Sequence, residues 1–241
     1  MKFEVDTHTH TLASGHAYNT IMEMVTAAKE KGLKLLCITE HAMAMPGTCH
    51  PFYFENLRVL PRNINGLDLL FGTEANIIDH HGNLDMGESL LKQMDIVIAS
   101  LHMPCIKPGT KEENTNALIE AMKNPYVGII GHPDDGRFPV DYEALVKAAK
   151  ENQVLLELNN NSLNPSGFRS NARPNDLAML KLCKEYQVPI SLGSDAHVFS
   201  DIANYKYALE LLKEVDFPQE LISNVTTERF LKLLRRKQYN I

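Results

Sequence analysis

Histidine sets this sequence apart: it occurs 10 times in 241 residues, and most copies sit in short polar motifs. In chain order the motifs are Asp6-Thr7-His8-Thr9-His10, Thr39-Glu40-His41, Thr73-Glu74, Ser100-Leu101-His102, Gly131-His132-Pro133, Asn159-Asn160 and Ser194-Asp195-Ala196-His197. Imidazole nitrogen and carboxylate oxygen are the donors that borderline-soft divalent ions such as zinc take, at about 2.0–2.2 Å. Side chains alternate along a strand with period two, so His8 and His10 share a face, as do Asp195 and His197. A lone strand-end histidine reads first as a core or turn residue. Six of the ten histidines lie in these motifs and His16 falls just beyond the first, and that recurrence, with Glu74 and Asp195, predicts a polynuclear metal site.

Each motif closes a short, mostly apolar run of the kind expected for strands covered on both faces. The runs are Phe3–Thr7, Leu35–Thr39, Leu69–Thr73, Ile96–Ser100, Val127–Gly131, Leu155–Leu158 and Ile190–Gly193. Helical patterns alternate with them over Ile21–Lys31, Phe54–Ile64, Glu88–Gln93, Asn114–Lys123, Asp141–Glu151, Pro174–Tyr186, Ile202–Glu214 and Glu228–Lys237. Thr20 and Glu23 are placed as a capping box for the first helix, and Gly32 ends it. The repeat is roughly 30 residues, one strand–helix unit, and predicts a parallel sheet with right-handed crossovers. No G-x-G-x-x-G follows the first strand and no P-loop is present. Only a closed or nearly closed barrel brings the carboxyl ends of all seven strands to one site. The expected fold is therefore α/β, a barrel formed by one domain over residues 1–241.

Taken together, these motifs resemble the PHP domain, the polymerase and histidinol phosphatase superfamily. The resemblance runs through Asp6–His10, Ile38–His41, Gly72–Glu74, His102, His132-Pro133 and Gly193–His197, in order and over nearly the whole chain. Within the superfamily, the segments 13–18, Leu60-Pro61-Arg62 and Leu156–Asn160 look most like the small stand-alone bacterial phosphatases of the YcdX type. The resemblance implies a distorted (βα)7 barrel with three divalent ions at its carboxyl face, zinc foremost with manganese and iron open. Carried over by position, His8, His10, Glu74 and Asp195 hold one ion, Glu74 bridges to a second held by His102 and His132, and His16, His41 and His197 hold the third. The usual Asp before the second motif's histidine is Glu40 here, a supporting position.

The implied activity is metal-dependent hydrolysis of small phosphomonoesters. A hydroxide bridging two ions near Glu74 and Asp195 would attack phosphorus in line, with no covalent intermediate. Arg58, Arg62, Arg169 and Arg173 are candidates to bind the phosphate, with Asn159 and Asn160 beside substrate or water. Two other readings are an amidohydrolase-type hydrolase, whose barrels also begin with H-x-H, and a non-catalytic metal- or phosphate-binding module. The first expects eight units and often a bridging lysine; the second expects lost ligands.

Composition limits the partners. Lys plus Arg is 24 against Asp plus Glu at 30, a net charge of −6, which disfavours a long nucleic acid as partner. Hydrophobic residues at 44% and charged residues at 22% describe an ordinary globular chain. No apolar run approaches the ~18 residues of a membrane span, so no membrane partner and a cytoplasmic location are expected. A homo-oligomer, a trimer by resemblance, is the expected assembly. Cys37, Cys49, Cys105 and Cys183 read as free thiols, His80-His81 as a turn, His50 as a loop or pocket rim, and Arg235–Lys237 as a solvated helix end.

Overall fold

The computed structural model describes residues 2–234. The strands are β1 Val5–Asp6, β2 Leu35–His41, β3 Asn63–Ile64, β4 Leu67–Asn76, β5 Val97–Ser100, β6 Ile129–Ile130, β7 Leu155–Asn159 and β8 Ile190–Gly193. The helices are α1 Ile21–Glu30, α2 Pro51–Asn56, α3 Glu88–Leu91, α4 Lys111–Lys123, α5 Tyr142–Asn152, α6 Ala172–Tyr186, α7 Lys206–Glu214 and α8 Thr227–Leu233. Seven strands run parallel in the order β1-β2-β4-β5-β6-β7-β8, and β3 pairs antiparallel with the start of β4. The expected seven-stranded, nearly closed barrel is the architecture observed.

The seam between β8 and β1 is closed by fewer ladder bonds and by one side chain. Above, Asp195 N donates to His8 O and His10 N to Ala196 O, both at 2.9 Å. Below, Asn224 Nδ2 donates to Val5 O (3.0 Å) and Leu192 O (2.8 Å), while its Oδ1 accepts from Leu192 N at 2.7 Å. The fully buried Asn224 amide thus stands in for a missing stretch of ladder. Asn224→Leu would leave Leu192 N without its acceptor, while Val5 O and Leu192 O keep Tyr205 Oη and Thr7 Oγ1 as donors, and is expected to lower unfolding free energy by about 2 kcal/mol, read from urea midpoints. A loss below about 1 kcal/mol would show that the seam closes without it.

Alternation along each strand separates an outer core from an inner one. Outward residues such as Leu36, Ile38, Leu69 and Phe71 join the helices in the main apolar cluster. Inward residues Val5, Leu35, Cys37, Leu70, Ile98, Ile129 and Leu155 pack with Phe230 and Leu234, which plug the amino end of the barrel. Moving up the same inward faces, the residues turn polar: Leu35 and Cys37 give way to Thr39 and His41, Leu70 to Glu74 and Asn76, and Leu155 to Glu157 and Asn159. The barrel is dry at one end and chemically equipped at the other.

Local signals behave as their chemistry dictates, with two differences. The Thr20–Glu23 capping box forms, with Thr20 N donating to Glu23 Oε2 at 2.7 Å, and Gly32 takes φ 78°. The single helix expected over Phe54–Ile64 is instead α2, a 3-10 turn at Leu57–Val59, and β3. Asn65 and Gly66 both take positive φ (55° and 81°), the two-residue turn that joins antiparallel strands, so the chain reverses where a helix was expected. The helix expected from Ile202 begins at Lys206, after a 3-10 turn at Phe199–Asp201 and a positive φ at Ala203. The last helix is described to Leu233, and Arg235–Lys237 lie outside the described residues.

Candidate metal centre

Glu74, at 0% exposure near the end of β4, is the hub of the carboxyl face. Its Oε2 lies 2.8 Å from His41 Nδ1, 3.3 Å from His8 Nε2 and 3.5 Å from His10 Nε2. Its Oε1 lies 2.8 Å from His132 Nε2 and 3.2 Å from His102 Nε2. Asp195 Oδ1 is 3.3 Å from His10 Nε2 and 3.7 Å from His8 Nε2. His197 stacks 4.4 Å from His10, centroid to centroid, and His16 lies 4.9 Å from both His41 and His197 at the exposed rim. All nine residues expected as ligands therefore gather at one place.

The far nitrogens of His8, His10 and His102 are held by acceptors, which aims the near ones inward, whereas His132 Nδ1 has no hydrogen-bond partner among the described residues. His8 Nδ1 donates to Glu157 Oε1 at 2.7 Å. His10 Nδ1 donates to Ser14 Oγ at 3.0 Å, and Ser14 in turn donates to Glu40 Oε2 at 2.6 Å. His102 Nδ1 donates to Asn76 Oδ1 at 2.7 Å, and Asn76 is fixed by Asp85. These are the carboxylate, hydroxyl and amide partners that orient metal-bound imidazoles elsewhere. Glu40, expected as a supporting position, fills that role by tying Ser14, Thr11 and Tyr53 together.

Whether this donor set suits divalent ions can be judged from the atoms left over. His8 Nε2 and His10 Nε2 face each other at 3.0 Å, and among the described residues Glu74 Oε2, His41 Nδ1 and His102 Nε2 are buried with no hydrogen-bond partner. Donor and acceptor atoms packed this closely are matched only with protons or cations between them, and the unpartnered Glu74 Oε2, His41 Nδ1 and His102 Nε2 are the ones that a divalent ion fits. Three sets of donor atoms within 4.8 Å of one another have the composition for an ion: His8 with His10 and Glu74, His41 with Glu74 and His102, and His10 with His41 and His197. They divide the ligands differently from the carried-over assignment, since His41 is shared between two sets and His10 between two.

Electrostatics agrees with the geometry. Burial pushes the His8 pKa down, but Glu157, Glu74 and Asp195 outweigh it and raise it well above the usual value. Burial and then the neighbouring His41 and His197 hold His10 well below the usual value and bring His16 to about 4. Burial opposes ionisation of Glu74 and Asp195, yet the surrounding histidines, and Arg169 at Asp195, keep both well below the usual carboxylate range. Neutral His10 and His16 and ionised Glu74 and Asp195 are the forms that bind metal, whereas an ion on His8 would displace the proton that Glu157, Glu74 and Asp195 favour there.

Glu157 is the residue that sequence reasoning missed. It is fully buried in β7, holds His8 Nδ1, and accepts from His132 N at 2.8 Å and Asn159 Nδ2 at 3.1 Å. Its signal was available: a lone carboxylate in the apolar run Leu155–Leu158, on the same strand face as Asn159.

The expected phosphate-binding residues separate into two groups. Arg169, buried in the loop after β7, donates to Asp195 Oδ2 through Nη1 (3.1 Å) and Nη2 (3.2 Å), and to Ser162 Oγ and Asn159 Oδ1. It leaves Asp195 Oδ1 for the histidines. Asn159 is buried beside them, whereas Asn160 Oδ1 accepts from Tyr207 N and Ala208 N and caps α7. Arg62 is elsewhere: Nε pairs with Asp95 at 2.7 Å and Nη1 donates to Leu57 O and Leu60 O, near the amino end of β4. Arg58 is exposed in the same connection, and Arg173 pairs with Glu214 on α7. These three follow strands in sequence but lie far along their connections or face outward, so they do not reach the cluster. His50 caps α2 by accepting from Phe52 N, and His80-His81 form a turn around Asp79. A cavity of 530 Å³ opens over the cluster, lined on its inner side by His16, His41, His102, Asp195, His197 and Arg169.

Comparison with known proteins places the chain. Residues 6–163 match the PHP domain family model. Over 241 residues, all of both chains, it is 51% identical to a probable phosphatase of Caldicellulosiruptor saccharolyticus. It is 49% identical over 237 residues to a probable phosphatase of Clostridium novyi, covering 98% of this chain and 96% of that one. In fold it resembles the histidinol phosphate phosphatase of Lactococcus lactis subsp. lactis, solved with zinc, L-histidinol and phosphate, at TM-score 0.61 and 18% identity over 89% of this chain and 94% of that one. The chain belongs to the PHP-domain family, and these two full-length relatives are named probable phosphatases. No helix among the described residues is long and apolar enough to cross a membrane.

Proposed function

We propose that this protein hydrolyses small phosphomonoesters at a centre of three divalent ions, zinc foremost, held by His8, His10, His16, His41, Glu74, His102, His132, Asp195 and His197. The observation that carries the reading is the convergence of inward-aimed imidazole nitrogens on Glu74 and Asp195. Ions bound there would supply Lewis acidity at the phosphoryl oxygens and lower the pKa of water toward neutrality. Glu74 and Asp195 are the carboxylates at the reaction centre, and Arg169 adds a buried, permanent positive charge beside them. Asn159 orients Arg169 and faces the same oxygen of Asp195.

Water is the attacking group in this reading because no thiol is available. Burial pushes Cys105 up to about 12 and Cys49 up to about 11, and neither lines the cavity. Direct displacement predicts one inversion at phosphorus with a chiral substrate; retention would require a covalent intermediate and contradict this step. A cavity of 530 Å³ suits a small ligand, and the net charge of −6 suits no long nucleic acid. The amidohydrolase reading loses its support, since the parallel barrel has seven strands and Ser100-Leu101-His102 supplies no lysine.

The test is 4-nitrophenyl phosphate turnover by purified protein before chelation, after it, and after return of zinc or manganese. Turnover that is lost and then restored supports the proposal. A metal-replete protein inactive on every phosphomonoester leaves the binding-module reading in its place.

A further inference from the structure

Beyond the ion cluster, the cavity wall has a distinct chemistry. Of its seven residues outside the candidate ligands and Arg169, five are apolar: Met45, Pro46, Met103, Pro104 and Phe168. The other two are Arg137 and Asn161. A leaving group rich in hydroxyls would turn them toward atoms that cannot hydrogen-bond, and desolvating polar groups without partners is unfavourable.

Arg137 looks at first like a receptor for a second anionic group. Its guanidinium is already engaged: Nε donates to both oxygens of Asp135 at 2.9 Å, and Nη2 donates to Oδ2 at 2.5 Å. Asp135 is held below the usual carboxylate range, against the effect of burial, by these bonds. Asp135 thus occupies one edge of the guanidinium and neutralises its charge, which weakens Arg137 as a receptor for a second phosphate. What the Arg137–Asp135 pair does instead is fix a ring. Arg137 Cζ lies 5.2 Å from the Phe168 centroid, and Arg169 Cζ lies 5.5 Å from it. Phe168 is 71% exposed and, unlike the other exposed phenylalanines Phe52 and Phe199, it lines the cavity over the cluster, so its free face is open to a ligand there. Arg169 also touches Asp195, so the exposed ring stands one residue from the reaction centre.

We infer that the leaving group of the substrate is a planar aromatic or heteroaromatic alcohol seated against Phe168, which makes Phe168 the specificity-determining residue. The inference rests on the phosphatase reading above. In the reaction, water oxygen bonds to phosphorus as the ester P–O bond breaks. The bonding pair stays on the leaving oxygen, which gains a proton as the water loses one, giving the free alcohol and inorganic phosphate.

Benzyl phosphate and ethyl phosphate test it, because both release an alkoxide of similar basicity and differ chiefly in the ring. With the metal-loaded enzyme, kcat/KM for benzyl phosphate should exceed that for ethyl phosphate by about 50-fold, the effect of burying one phenyl group. Phe168→Ala should reduce that ratio about tenfold, while Phe168→Tyr keeps it. The exposed position of Phe168 means that truncation removes little core packing. A ratio near one in the native enzyme, or a ratio unchanged by Phe168→Ala, overturns the inference while the phosphatase reading stands. Hydrolysis of neither ester overturns the inference, and the phosphatase reading falls with it only where 4-nitrophenyl phosphate is not turned over either.

Discussion

Glu74→Gln should lower kcat/KM for 4-nitrophenyl phosphate by about 1,000-fold or more while leaving a folded barrel. Glu74 is within reach of five histidines, with His41, His8 and His10 on one oxygen and His132 and His102 on the other. Glutamine keeps the size but removes the negative charge and replaces one acceptor oxygen with a donor. That NH2 group would face imidazole lone pairs, and the variant should bind fewer ions than the native chain. Metal content and circular dichroism distinguish this from unfolding. An enzyme within tenfold of native activity would remove Glu74 from the reaction centre.

Gly193→Ala should be nearly as damaging, although its residue carries no chemistry. A Cβ built on Gly193 lies 1.9 Å from Glu157 Oε1 and 3.0 Å from His8 Cβ. The end of β8 must therefore approach β7 and β1 with no side chain, or Glu157 loses its hold on His8. Glu157→Gln alone should cost about 10- to 100-fold in metal affinity, the usual effect of losing a partner that orients a ligand. Gly193→Ala should match or exceed this and also lower stability by about 1–3 kcal/mol through overpacking. Metal titrations and urea unfolding of the two variants are the measurements. Native affinity in Gly193→Ala would mean that Glu157 can be displaced without consequence.

The barrel was legible because its two periodicities are physical: apolar runs spaced by helices fix the sheet, and polar residues at the run ends fix the carboxyl face. His8, His41, His102, His132 and Asp195 were found that way, since in a parallel barrel position along a strand determines position in the site. Glu157 escaped because it sits before a strand end, where an isolated carboxylate makes no motif. The arginines show a different limit. Arg169 lies in a loop that starts at the carboxyl end of β7, while Arg58 and Arg62 lie at the far end of their connection, by the amino end of β4. Sequence order alone gave them equal standing, and only the path of each connection separates them. The Asn65-Gly66 turn is readable from its residue types, but the helical pattern that runs up to Ile64 hides the short strand that pairs across it.

Metal content per chain, measured by elemental mass spectrometry on protein purified without added metal, bears most directly on the central claim. The arrangement around Glu74 predicts close to three divalent ions per chain, falling in His8→Ala, whose imidazole lies among His10, Glu74 and Asp195. A chain that carries no stoichiometric ion and takes up none from zinc or manganese would contradict it.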